Sequence, residues 1–115
     1  MEVAIAGLDE TGVRRTFSIQ RSTDEPEEQD VQYGMDSYCV STERGATLYG
    51  CLSRVRLDGV LLTLEFTAED AEILEISPTV VIDLHDKATG LADLPANLRR
   101  LLDWGATAKR PELRF

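Results

Sequence analysis

Asp58-Gly59 stands between two runs of alternating residues, and this constrains the chain more than any other feature. Asp-Gly is a favoured pair for a two-residue hairpin loop, because glycine accepts a positive φ without a Cβ penalty. After it, Val60, Leu62, Leu64 and Phe66 fall on one face at period two; before it runs a long strand pattern from Thr47 to Leu57. The segment predicts an antiparallel hairpin with one buried face. A second hairpin is predicted just upstream, with Ser37 to Thr42 and the start of the long strand flanking Glu43-Arg44-Gly45-Ala46. Centred on Gly45, that hairpin would set Cys39 opposite Cys51, and Tyr38 would not lie directly opposite Tyr49.

The rest of the chain supplies partners for these strands. Val3 to Ala6 is a short apolar run that reads as an opening strand, and Gly12 breaks the chain after it. From Val13 to Ile19, Val13, Arg15, Phe17 and Ile19 share a face, which predicts a half-buried strand. Arg15 interrupts that face near its start, where its stem can lie flat with the head in water. Ser22 to Asp30 carries five carboxylates around Pro26, the strongest loop signal in the chain. Thr67, followed by Glu69 and Asp70, predicts an N-capped helix over about Ala68 to Glu75, which Pro78 stops. Thr79 to Leu84 is the most β-branched run and predicts a central strand. Leu91, Leu94, Leu98, Leu101 and Leu102 recur at helical spacing, with Pro95 near the front and Gly105 as the stop.

Antiparallel hairpins and an amphipathic helix that needs a surface to cover together predict an α+β fold. It is a mainly antiparallel sheet of five or six strands, with a short helix after the Asp58-Gly59 hairpin and the C-terminal helix packed on one face. The 115 residues make one domain over 1–105, with 106–115 as an extended or loosely docked tail. A chain of this length buries roughly 65% of the surface its unfolded form exposes, so it needs no disulfide or metal staple. Apolar runs such as Val60-Leu61-Leu62 fall far short of the roughly 20 residues that span a bilayer. The N-terminus lacks a basic region followed by an apolar run, so no secretory signal is read and a cytoplasmic location is expected.

The formal net charge of −9, from 21 acidic and 12 basic residues, argues against nucleic acid and against anionic membrane surfaces as partners. It is compatible with a basic protein partner, and equally with a charge that only maintains solubility. The single histidine, His85, is flanked by Asp83 and Asp86 at a strand end. Strand neighbours point to alternate sides, so a surface histidine is the simpler reading than a metal site. No Gly-rich phosphate loop and no Cys-x-x-Cys motif occurs, and the two cysteines read as free packing thiols. No catalytic residue, metal ligand or cofactor is assigned, and the chain is read as not an enzyme.

The stretch Glu28-Gln29-Asp30-Val31-Gln32-Tyr33-Gly34-Met35-Asp36-Ser37-Tyr38-Cys39-Val40 resembles the opening motif of bacterial immunity protein family 10. That motif has an acidic pair, then Gly-Met-Asp, a small hydroxyl residue and Tyr, leading through a strand and turn to Tyr-Gly, here Tyr49-Gly50. The Asp-Gly hairpin, short helix, apolar strand and Leu/Arg helix follow in the family's order; Cys51 stands where the family has a second glycine, and the tail after Gly105 is longer. The resemblance implies an antitoxin that binds and neutralises a cognate polymorphic toxin by covering its active site. The toxin would present a basic surface, as a nuclease does. The contacts expected are Glu28, Asp30 and Asp36 as charged partners and Tyr33, Tyr38 and Tyr49 as anchors. Packing in the sheet is the structural alternative for Tyr38 and Tyr49, and a turn is the alternative for Gly34-Met35-Asp36. Two other classes stay open: a small-molecule-binding or regulatory module, which a deep apolar pocket would favour, and an enzyme, which a buried cluster around His85 would favour. Oligomeric state is not legible.

The helix assignment has a direct test. Leu98→Asp places a charge where the leucine row needs burial, and it is expected to abolish cooperative folding. An unshifted melting curve would refute the assignment.

Overall fold

A computed structural model describes residues 2–21, 37–84, 93–104 and 109–115. The fold is α+β: a mixed, mostly antiparallel sheet of eight strands with two helices, one of them C-terminal. The strands are β1 (Glu2–Leu8), β2 (Arg14–Gln20), β3 (Cys39–Thr42), β4 (Thr47–Tyr49), β5 (Leu52–Asp58), β6 (Leu61–Phe66), β7 (Thr79–Asp83) and β8 (Glu112–Arg114). The helices are α1 (Ala68–Leu74) and α2 (Leu94–Leu102). Across the sheet the order is β4-β3-β2-β1-β7-β6-β5-β8, with β7 central as its β-branched sequence predicts.

Eight strands arise where five or six were expected because the long strand from Thr47 breaks at Gly50, and because the last residues add β8. Gly50 turns at φ 60, and its N–H donates to Tyr38 O at 3.0 Å. That break has a large geometric consequence. Strands first and seventh in a flat sheet would stand about 29 Å apart at the usual inter-strand spacing. Tyr49 and Leu52 are separated only by Gly50 and Cys51, so the chain spans at most about 11 Å between them. The sheet must therefore curl until its two ends approach each other.

Both turns differ from expectation by small shifts with clear causes. Thr42 N–H donates to Ala46 O and Gly45 N–H to Thr42 O, with Gly45 at φ 85, which makes a three-residue loop with a glycine bulge. Cys39 consequently pairs with Tyr49, not with Cys51. In the next hairpin Asp58 pairs with Leu61, so the two loop residues are Gly59 and Val60, with the positive φ at Gly59 alone. That is the pattern of a type II′ turn, in which glycine holds the first central position.

One face of the sheet carries the core. Ile5, Phe17, Ile19, Val40, Leu62, Leu64, Val80 and Ile82 are all buried, as period-two alternation requires. Leu98, Leu101 and Leu102 of α2 are fully buried in the same cluster, each contributing about 1.5–3 kcal/mol before entropy is charged. α2 begins at Leu94 with Pro95 in its first turn, while Leu91 lies outside the described residues. α1 is shorter, capped by the Thr67 hydroxyl, which accepts from Asp70 N–H, and it buries only Ala71 and Leu74. Gly7 lets β1 reach β7, since a Cβ there would collide with the carbonyl of Asp83 and lie 2.6 Å from Ile82 Cγ2.

Residues 112–114, expected in the tail, are extended and belong to the sheet: β8 pairs with β5 in parallel, Val55 opposite Leu113. Before it, the aliphatic stem of Lys109 closes over Gly50, where a Cβ would meet Lys109 Cβ at 3.0 Å. The C-terminal segment thus lies against the residue at which β4 turns into β5.

The curled ends are joined by Tyr38, whose side chain is fully buried. Its hydroxyl donates to Leu52 O at 3.2 Å and accepts from Leu52 N–H at 2.9 Å. Tyr38→Phe leaves both backbone groups of Leu52 without a partner, at a cost of about 2–3 kcal/mol. The denaturant midpoint should fall accordingly with an unchanged slope; a midpoint equal to that of the parent would refute the clamp.

Candidate partner-binding surface

The sequence-predicted contact residues separate into three groups. Glu28, Asp30, Tyr33 and Asp36 lie outside the described residues, as do His85 and Asp86. Tyr38 is interior: burial, the main effect, pushes its hydroxyl far above the ordinary tyrosine range, and both hydrogen bonds stay within the protein. It positions the chain and offers no surface to a partner. Tyr49 is 41% exposed at the sheet's edge, on the opposite face from Tyr38.

Tyr49 borders an outer face made largely of small and hydroxyl side chains. Ala4, Ala6, Ser18, Cys39, Ser41 and Thr47 alternate with the core residues and stand on this side. Their polar groups are largely engaged with one another. Ser41 and Thr47 share a hydrogen bond of 2.9 Å, and the Glu2 carboxylate accepts from the Ser18 hydroxyl and from Gln20 Nε2. Further along the same face, β5 and β8 carry arginines. Arg54 Nε pairs with Glu112 at 2.8 Å, and Arg56 lies opposite Arg114.

The helix side has the opposite character. The turn joining β1 to β2 is held by one carboxylate: Asp9 Oδ1 accepts from Thr11 Oγ1 at 2.6 Å, from Thr11 N–H at 2.9 Å and from Val13 N–H at 3.0 Å. The Thr11 hydroxyl, followed by the backbone donors, holds the Asp9 carboxyl below its usual range, so it is ionised at neutral pH. Between this turn and α1 lies a cavity of about 400 Å³. Asp9, Glu10, Glu72 and Glu75 contribute carboxylates to its lining, and Arg15 the one guanidinium.

Arg15 departs from the expectation that its head reaches water. Its side chain is only 13% exposed, with Nε 3.0 Å from Glu43 Oε1 and the guanidinium over the Phe17 ring at 5.9 Å. The approach to Glu43 is close but poorly aligned for a hydrogen bond, and Nη2 is buried with no acceptor among the described residues. Two large apolar side chains flank the cavity in sequence, Val13 on the turn at 53% exposure and Ile73 on α1 at 56%. Val13 was expected on the buried face of the strand but falls in the turn because β2 starts at Arg14, and Ile73 was not singled out from sequence. The Asp-x-Thr-Gly turn at 9–12 and the lysine- and arginine-free sequence of α1 were the available signals.

Among the described residues no group of three or more His, Cys, Asp or Glu side chains could hold a metal ion. None of their helices is long and apolar enough to cross a membrane.

The family model for immunity protein 10 matches residues 1–92, and the chain belongs to that family. Membership implies toxin neutralisation and a cognate toxin as partner, in a family that is generally non-catalytic. No curated protein and no solved structure matches the chain. The matched region ends before α2 and β8, so part of the core and one sheet strand lie beyond it.

The cysteines are both free. Burial raises the Cys39 thiol and pushes that of Cys51 up to about 12. At pH 8 Cys51 should stay a thiol and resist a thiol-specific reagent in the native protein, reacting only when denaturant is added. Fast native labelling of Cys51, read by peptide mass spectrometry, would contradict its buried placement.

Proposed function

We propose that this protein neutralises its cognate toxin by binding it and blocking the toxin's active site. The observation that carries this reading is the family match over residues 1–92. An interface of ordinary size, about 1,600 Å² in total, is enough to cover a small enzyme's cleft. The acidic balance of the chain supports a basic toxin surface, because opposite charge speeds encounter and disfavours wrong partners. If the toxin is a nuclease, carboxylates take the places of substrate phosphates in its groove.

Within this reading, Glu28, Asp30 and Asp36 are charged contacts and Tyr33 and Tyr49 are anchors. Tyr38 acts indirectly, by fixing the segment from Ser37 to Thr42 that follows the acidic stretch. The alternative of a small-molecule-binding or regulatory module draws no support from the cavity beside α1. Four acidic residues and an arginine line it, whereas ligand pockets carry only a few polar groups.

The test uses the toxin domain encoded in the adjacent reading frame. Purified protein is expected to inhibit that toxin stoichiometrically. A triple reversal, Glu28→Lys with Asp30→Lys and Asp36→Lys, is expected to weaken binding by about tenfold or more and to flatten its salt dependence. Unchanged affinity and salt slope would remove these three residues from the contact; no inhibition by the parent protein would overturn the function itself.

A further inference from the structure

We propose that α1 and the β1–β2 turn form a docking surface for the toxin, and that a lysine or arginine side chain of the toxin enters the cavity between them. This rests on the toxin-binding reading above and adds which face binds and what it receives.

Two independent features converge there. The first is charge. The cavity lining holds four carboxylates against one guanidinium, and α1 adds Glu69 and Asp70 with no basic residue in its last turn. A cation entering the cavity meets a net negative field in a partly enclosed space, where screening is weaker than on open surface. The second is apolar exposure. Ile73 and Val13 are the two most exposed large hydrophobic side chains among the described residues, and they come from the two elements that border the cavity. On the helix, Ile73 neighbours Glu69, so an aliphatic side chain stands beside the acidic surround. An apolar centre ringed by polar groups is the usual anatomy of a protein interface. The occupant that meets both is a peptide segment of the toxin with one protruding cation and aliphatic neighbours.

The stability of α1 itself gives a reason to read these charges as more than solubilising. Carboxylates in a helix's first turn are favoured by the dipole, and Glu69 and Asp70 are placed there. Glu72 and Glu75 lie in or just past the last turn, where the dipole disfavours negative charge. Among the described residues Glu72 has no ion-pair partner, and Glu75 meets only Arg44, at 3.4 Å with both side chains largely exposed. The charge of Glu72 therefore weighs against the helix. A residue that serves binding at the fold's expense has a testable signature, since its replacement moves stability and affinity in opposite directions.

The experiment measures Kd and thermal midpoint for the parent, Glu72→Lys, Ile73→Ser and, on the outer sheet face, Arg56→Glu, against the toxin domain from the adjacent reading frame. Glu72→Lys is expected to keep or raise the midpoint while weakening binding by about tenfold or more, with a similar loss for Ile73→Ser. Arg56→Glu is expected to leave affinity within about twofold. If the parent binds the toxin and both α1 variants bind as tightly, the inference is overturned while the function stands. If the parent binds no toxin, both fall, and that outcome is distinguished by the parent measurement alone.

Discussion

The hydroxyl of Tyr38 holds both backbone groups of Leu52, and the shape of the whole sheet depends on that contact. Strand order alone would let the sheet lie open, with β4 and β5 far apart. The two-residue joint at Gly50-Cys51 forces them together, and the closure then needs something to satisfy the backbone at the point of approach. Tyr38 does so from the interior, with Gly50 N–H bonded to the Tyr38 carbonyl on the same short stretch. A phenolic group suits the task because it donates and accepts at once, and burial in an apolar core keeps it protonated.

Folding in this way divides the chemistry of the surface. The core face takes both helices, and among the described residues no helix covers the outer face of the sheet, which carries small and hydroxyl side chains near Tyr49 and arginines along β5 and β8. Negative charge concentrates on the helix side, around α1 and the turn that Asp9 organises. That turn costs little to bring to a partner, since three hydrogen bonds to one carboxylate have already fixed it. The protein thus presents two faces of different character to anything that approaches, and recognition can discriminate between them.

The elements whose signals are local were legible in the sequence. The hairpin around Gly59, the capped helix after Thr67, the β-branched strand from Thr79 and the leucine row of α2 all stand where alternation, capping and helical spacing place them. Register was harder, because one residue in a turn shifts every pair. Gly45 ends its loop instead of centring it, and so Tyr49, not Cys51, faces Cys39. The break at Gly50 and the strand at 112–114 were not legible at all. Both are set by contacts distant in sequence, to Tyr38 and to β5. The surface around Ile73 escaped for a similar reason: an isoleucine in a helix reads as core until the neighbouring elements show which face is covered. Immunity protein 10 was recognisable because its motif is local too, running from the acidic pair through Gly34-Met35-Asp36 to Tyr49-Gly50.

The parallel pairing of β5 with β8 has a kinetic consequence. Arg54 meets Glu112 across 58 positions of chain, so this is among the last contacts that loop-closure entropy allows to form. Until it does, one edge of β5 offers unpaired N–H and carbonyl groups to any other strand nearby. A nascent antitoxin therefore passes through a period in which its own sheet is open to wrong partners. The arginines and acids of β5 and β8, which discourage neutral strands from adding there, are as much a guard on that interval as a stitch in the finished fold.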